Sequence, residues 1–183
     1  MSSRYFWRLL STFIIFLFLS FNTVVYTISA EEKGESSFQS EVIMLAEHYS
    51  NKILLSQNEK KKIYPASVTK MMTVLLVLEE IEKGNLSLEE MVDISERASS
   101  MGGSQIFLSA GDKVSVEDLL IGVIVASAND AAVALAEHVS GSVESFVDKM
   151  NKRAFSLGME NTNFVNPTGL HDDEHYTTAA DLL

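Results

Sequence analysis

Short apolar runs come first along this chain and longer ones follow, an order that predicts strands before helices. Residues 42–46 and 52–55 form two such short runs, each of strand rather than helix length. Ser50-Asn51 lies between them and suits a turn, because Asn tolerates positive φ. These two runs therefore predict a β-hairpin.

Helices are predicted from Ser67 onward, where the apolar runs lengthen and capping residues or glycines bound them. Gly84, Gly141 and Gly158 end three of them, since glycine readily adopts the left-handed conformation that closes a helix. Ser87, followed by Glu90, has the capping-box pattern that opens a short helix. The predicted helices cover about 67–83, a short stretch from 87, 115–125, 130–140 and 142–157.

The last part of the chain predicts a turn and the start of one more helix. Asn166 to Gly169 has Pro in the second place and Gly in the fourth, as a tight turn prefers. Thr178 is a suitable N-cap, but only a few residues follow it, and nucleating a helix is costly. We therefore expect the sequence to be cut off within this helix.

The N-terminal residues have the features of a secretory signal peptide. Arg4 and Arg8 precede an apolar stretch from about Leu9 to Phe21, and Ala30 offers a small residue at the cut. The alternative is an uncleaved anchor, which would leave the protein membrane-associated. Both interpretations place the remainder outside the cytoplasmic membrane, as a secreted protein. The expected organisation is a signal peptide at 1–30, a flexible lead-in at 31–40 and an incomplete globular domain at 41–183.

Composition excludes several function classes. The 183 residues are 46% hydrophobic, which suffices for one domain with a real core, and the net charge of −11 argues against a nucleic-acid partner. The absence of cysteine excludes disulfides and thiolate metal sites. His171 and His175 flank two aspartates, but this stretch follows a turn rather than lying on a helix, so we expect no metal and no cofactor.

Ser67 and Lys70 carry the main candidate chemistry. At a spacing of three they project from the same face of a helix, at the head of the apolar run from Met71 to Leu78. A serine hydroxyl becomes a good nucleophile when a neighbouring base takes its proton. Lysine can be that base if burial among apolar side chains keeps its amine neutral. The alternative is coincidence, since a chain of this size contains a chance Ser-x-x-Lys match about half the time.

Ser127 and Asn129 are the second candidate pair. They lie between two apolar helical segments, where polar side chains would collect at a helix junction. The alternative is that they are ordinary loop and cap residues. The pattern alone leaves both interpretations open.

Five short motifs occur in a familiar order at 65–73 (Pro-Ala-Ser-Val-Thr-Lys-Met-Met-Thr), 102–111, 127–131 (Ser-Ala-Asn-Asp-Ala), 164–170 and 175–179. Together they resemble the penicillin-interacting serine enzymes, and most closely the low-molecular-mass D-alanyl-D-alanine carboxypeptidases. The resemblance covers about residues 41–183. It implies a mixed α/β (α+β) fold of the serine β-lactamase and penicillin-binding-protein type. In that fold a helical lobe and an antiparallel-sheet lobe enclose the serine, and here the C-terminal strands would be missing.

The resemblance also implies roles for the candidate residues. Ser67 would attack the carbonyl between the two terminal D-alanines of a peptidoglycan stem peptide and form an acyl-enzyme, and Lys70 would take its proton. Ser127 would relay a proton to the departing D-alanine, and Asn129 would hold the substrate amide and help to orient Lys70. β-Lactams would act as covalent inhibitors at Ser67.

One motif of that family, Lys-Thr-Gly, does not occur in this sequence. Its strand would supply a second oxyanion donor and a cation for the substrate carboxylate, so we expect the 183-residue chain alone to be inactive. Two alternatives remain for the function. One is a class A β-lactamase-like hydrolase, although no Glu-x-x-Leu-Asn segment occurs between Gly141 and Leu183. The other is an inactive secreted fragment that only binds cell-wall peptide.

Overall fold

Six α-helices and four short strands lie along residues 39–183, the part of the chain that this computed structural model describes. Residues 40–183 form one unit. The strands are β1 (Ile43–Ala46), β2 (Ile53–Gln57), β3 (Met91–Asp93) and β4 (Lys113–Ser115). The helices are α1 (Lys70–Glu82), α2 (Glu96–Ser99), α3 (Val116–Ala126), α4 (Asn129–Ser140), α5 (Val143–Ser156) and α6 (Ala179–Leu182). Helices combined with antiparallel strand pairs confirm the predicted α+β class.

The predicted hairpin is confirmed. Strands β1 and β2 pair antiparallel, with Ile43 opposite Gln57. Asn51 adopts a φ of 54°, the left-handed conformation expected of it in the connecting turn.

Local capping signals placed four helices correctly. A 3₁₀ turn at Ala66–Thr69 leads directly into α1, and Gly84 follows its end with a φ of 75°. The Ser115 hydroxyl accepts a hydrogen bond from the Asp118 backbone N–H at the start of α3. α4 begins at Asn129, one residue before the predicted position, and the Ser142 hydroxyl caps α5 in the same way as Ser115 caps α3.

The helix predicted from the capping-box residues at Ser87 is wrong. The Ser87 hydroxyl donates to the Glu89 carboxylate within a turn, and the chain then enters β3. β3 pairs antiparallel with β4, and the Val116 backbone N–H donates to the Glu90 carbonyl beside this pair. Pairing with a distant segment therefore overrides the local helix signal.

The core forms around α4. Its residues from Ala131 to Ala136 are almost completely buried, and the alanines among them let neighbouring elements approach closely. α4 packs against α1, α2, α3, α5 and β3. One apolar cluster joins α1, α3 and α4, and a second joins α1 to α5 and the Phe164 side chain. α1 thus packs against both clusters through Met72, Leu76 and Val77, while Met71 and Leu78 on the same helix stay exposed.

The segment 163–178, called here the return segment, folds back onto the start of α1. Ile63 pairs with Thr177, and Asn163 pairs with Tyr176, as isolated antiparallel bridges. Gly169 packs directly against the backbone of Ala66: a Cβ on Gly169 would lie 1.8 Å from the Ala66 carbonyl oxygen. The return segment therefore approaches the Ser67 turn more closely than any side chain at position 169 would allow.

The predicted signal peptide at 1–30 lies outside the described residues, as does the lead-in at 31–40 except for its last two residues. Within residues 39–183, none of the helices combines the length and the apolar character needed to cross a bilayer.

We predict that Gly169→Ala destabilises the protein far more than Gly158→Ala. Both glycines have a φ of 83°, but no atom outside the neighbouring residues lies within 4 Å of a Cβ at Gly158. Gly158→Ala should therefore cost only the left-handed conformation, about 1–2 kcal/mol. Gly169→Ala adds the clash with Ala66, for a total of about 2–5 kcal/mol. Denaturant unfolding of the full-length gene product measures both values, and equal losses would show that the close approach of Gly169 to Ala66 is not present in solution.

Candidate active site

Ser67 lies in a constrained turn. Pro65 precedes it with a φ of −70°, and Ala66 adopts a φ of 47°, which is unusual for a residue with a Cβ. The backbone of Ala66 packs closely against Gly169. Strain of this kind persists only where the surroundings enforce it, and it is common beside reactive groups. Ser67 itself is exposed to solvent.

Lys70 is the first residue of α1 and is only 5% exposed. Its Nζ lies 3.4 Å from Ser67 Oγ and donates a hydrogen bond of 2.8 Å to the Thr168 carbonyl in the return segment. Burial lowers the pKa of the Lys70 amine, because an apolar environment disfavours the charged form. The predicted nucleophile and base are therefore adjacent, and the base has the required direction of pKa shift.

Ser67, Lys70 and Ser127 line one cavity of about 730 Å³. Its walls are mainly apolar and come from α1, α3 and the stretch after α5, including Leu75, Val123 and Met159. Met71 and Met72 both line it, although Met72 is buried and Met71 is 70% exposed.

Ser127 closes α3 at the cavity wall. It adopts a φ of 53° and is half-buried. Among residues 39–183 its hydroxyl forms no hydrogen bond with Ser67 or Lys70. The structure thus brings Ser127 to the same cavity as the other two residues, and its proton-relay role stays a prediction.

Asn129 is hydrogen-bonded to the loop that precedes β4. It is 5% exposed, its backbone N–H donates to the Ser104 carbonyl, and its side-chain Nδ2 donates to the Gly102 carbonyl, both at 2.7 Å. A Cβ on Gly103 would lie 2.7 Å from that same Nδ2. Within the described part of the chain, Asn129 forms no hydrogen bond with Lys70, so its proposed contacts to substrate and base stay predictions.

Asp130, next to Asn129 in α4, supports the site through its carboxylate, a role that the sequence pattern did not predict. Its carboxylate is 1% exposed and accepts backbone N–H groups of Ile106, Leu108 and Ala131 at 2.9 to 3.2 Å. The first two bonds flank Phe107, which adopts a φ of 60°. Asp130 and Asn129 together fix residues 102–108 beside the Ser127 turn. In the sequence, the one signal for this role is that Asp130 lies next to Asn129.

Three side chains at the start of α1 bind the return segment in succession. Thr69 Oγ1 lies 2.8 Å from His175 Nε2, Lys70 donates to the Thr168 carbonyl, and Thr73 Oγ1 donates to the Pro167 carbonyl at 2.7 Å. Asn166 Oδ1 shapes that carbonyl-bearing turn by accepting from the backbone N–H groups of Thr168 and Gly169. The predicted turn at 166–169 therefore supplies the acceptor that Lys70 uses.

Comparison with known proteins agrees with this geometry. The profile of the peptidase S11 family, described as D-alanyl-D-alanine carboxypeptidase, matches residues 27–183. The D-alanyl-D-alanine carboxypeptidase DacF of Bacillus subtilis is 44% identical over 96% of this chain and 46% of its own length. DacA of Haemophilus influenzae is 40% identical over 86% of this chain and 42% of its own length.

Solved structures show the same likeness. The carboxypeptidase DacD from Francisella tularensis matches with a TM-score of 0.77 and 43% identity, over 79% of this chain and 35% of that one. Penicillin binding protein 5 from Haemophilus influenzae matches with a TM-score of 0.75 and 43% identity, over 78% of this chain and 42% of that one. The chain thus spans less than half the length of these relatives. It belongs to the peptidase S11 family of D-alanyl-D-alanine carboxypeptidases.

Proposed function

We propose that the full-length gene product is a serine-type D-alanyl-D-alanine carboxypeptidase that removes the terminal D-alanine from peptidoglycan stem peptides. The observation that carries this proposal is that the Lys70 amine lies 3.4 Å from Ser67 Oγ and is buried, which lowers its pKa and favours its neutral form. Relatives named D-alanyl-D-alanine carboxypeptidase support the reaction class. The substrate lies outside the cytoplasmic membrane, which fits the export predicted from the N-terminal residues.

The proposed reaction begins with proton transfer from Ser67 Oγ to the neutral Lys70 amine as Oγ attacks the carbonyl between the two D-alanines. The C–N bond of the resulting tetrahedral intermediate then breaks. The proton passes through Ser127 to the departing D-alanine amine, and the shortened peptide stays on Ser67 as an ester. Water hydrolyses this ester, which releases the peptide carboxylate and restores the Ser67 hydroxyl. The Ser67 backbone N–H stabilises the oxyanion, an effect worth about 10²–10³ in rate per donor.

A β-lactam carries an amide that the same serine can open, so penicillins should acylate Ser67. A match to a solved penicillin binding protein supports this part of the proposal. Family membership also favours the carboxypeptidase over a class A β-lactamase-like hydrolase.

We predict that Ser67→Ala abolishes covalent labelling by a fluorescent penicillin, because the attacking oxygen is removed. Ser50→Ala, in the exposed hairpin turn, is the matched control and should label normally. Gel fluorescence of the full-length gene product measures the label, and labelling of Ser67→Ala at the normal level would refute the assignment of the nucleophile. If the 183-residue chain assayed in parallel takes no label, the binding-only interpretation applies to that part of the protein on its own.

Lys70→Met should slow acylation by about 10²–10⁴-fold, the usual contribution of a positioned general base. Lys83→Met, at the exposed end of the same helix, keeps the rate because its amine is far along α1 from Ser67 and pairs with Glu80. Stopped-flow labelling measures both rate constants. Equal rates for the two variants would remove Lys70 from the mechanism.

Acylation should become faster as pH rises, with a midpoint below the ordinary pKa of lysine. Only the neutral amine can accept the Ser67 proton, and burial lowers the pKa of Lys70, so the neutral fraction grows earlier than for an exposed lysine. The second-order acylation rate constant, measured from acidic to alkaline pH, gives the midpoint. A rate that stays low until the range of an exposed lysine would contradict this account.

Release of D-alanine distinguishes the proposed enzyme from a β-lactamase. The full-length gene product should release D-alanine from a pentapeptide ending in D-Ala-D-Ala and should turn over nitrocefin only slowly. Rapid nitrocefin turnover without D-alanine release would favour the lactamase alternative.

A further inference from the structure

His175 is a buried imidazole directly behind the Ser67 turn that the proposed reaction does not use. It is 2% exposed, and its ring lies edge-on to Phe164 with the ring centres 5.6 Å apart. Among residues 39–183 the structure shows no cluster of three or more His, Cys, Asp or Glu side chains that could hold a metal ion.

The hydrogen bonds of His175 determine which ring nitrogen carries the proton. The Val165 backbone N–H donates to Nδ1 at 3.1 Å, and since a backbone N–H can only donate, Nδ1 must be unprotonated. The proton of the neutral ring is therefore on Nε2, 2.8 Å from Thr69 Oγ1. His175 consequently donates to Thr69.

The neutral ring also fits its surroundings. Burial lowers the pKa of His175, and the negative charge of Asp172 opposes this only in part. Asp172 additionally accepts the backbone N–H of His175 through its carbonyl at 3.0 Å. Lys70, whose amine is the proposed base, follows Thr69 directly in the chain. Protonating Nδ1 would place a second N–H against the Val165 N–H, so the arrangement requires the uncharged ring.

Thr69, the residue to which His175 donates, lies between the proposed nucleophile and the proposed base. It is 2% exposed and ends the 3₁₀ turn that carries Ser67. The ring of His175 thus links the Val165 backbone to the turn, in the same return segment whose Thr168 carbonyl holds Lys70. Displacing Thr69 would change the distance between Lys70 Nζ and Ser67 Oγ.

We propose that His175 is a positioning residue: through its hydrogen bond to Thr69 it sets the separation of the Lys70 amine and the Ser67 hydroxyl, without contacting substrate. The proposal rests on the proposed function, in which Lys70 takes the Ser67 proton. It goes beyond that function because it assigns the control of this proton transfer to a residue more than 100 positions away in the chain.

Three variants of the full-length gene product test the bond itself. His175→Gln keeps a donor for Thr69 and an acceptor for Val165, so acylation should stay within about 3-fold of the parent. His175→Leu fills the buried position with an apolar side chain and removes both bonds, and acylation should fall by about 10-fold to 10²-fold, the cost of a small misplacement of reacting groups. Thr69→Val removes only the acceptor and should reproduce the effect of His175→Leu.

The pH profile of acylation separates positioning from mere support of the fold. In His175→Leu and Thr69→Val the acid limb should move to higher pH, because a loosened turn admits water to Lys70 and reverses part of its lowered pKa. Val92→Ala, a buried truncation on β3, which carries none of the site residues, is the control for lost stability. It should lower the melting temperature without moving the profile.

The proposal is supported if His175→Gln is acylated at nearly the parental rate. It also requires that His175→Leu and Thr69→Val are acylated more slowly and have pH profiles shifted to higher pH. Parental rates and profiles in Thr69→Val overturn it, even if His175→Leu does not fold. The proposal is also overturned if His175→Leu and Thr69→Val lose no more acylation rate than Val92→Ala does at the same drop in melting temperature. Failure of the proposed function gives a different result, namely full labelling of Ser67→Ala with the parental His175 in place.

Discussion

The burial of one amine, that of Lys70, is the constraint on which the rest of this structure depends. A lysine that is 5% exposed loses most of its hydration, and the charged form loses the most. Among residues 39–183 no carboxylate pairs with this amine, and burial is the cause of its lowered pKa. The same lysine on the protein surface would be cationic and could not take a proton from serine.

The acceptor that the fold provides for this amine is chemically appropriate. A carboxylate at the position of the Thr168 carbonyl would stabilise the ammonium form and raise the pKa. A backbone carbonyl satisfies one N–H of the amine with a smaller preference for the charge. The return segment must therefore approach α1 closely enough for its backbone to reach Lys70, and Gly169 against Ala66 is the contact that permits this approach. Chemistry at the head of α1 thus depends on residues about 100 positions later.

How much the sequence predicts depends on whether a feature is local. The helix bounds followed from caps and glycines a few residues apart, and the Ser67–Lys70 pair followed from helical spacing. The Ser87 helix was wrong because pairing between β3 and β4 decided that region. The roles of Asp130 and the Thr168 carbonyl could not be predicted, since each acts on backbone or side-chain groups that only the folded chain brings near.

The direct titration of Lys70 tests this account most sharply. Selectively labelled lysine in the full-length gene product, followed by NMR over a range of pH and assigned with a Lys70→Met variant, reports the charge of this single amine. The account predicts a Lys70 pKa clearly below those of the exposed lysines in the same spectra. A Lys70 amine that titrates together with the exposed lysines, or above them, would contradict it.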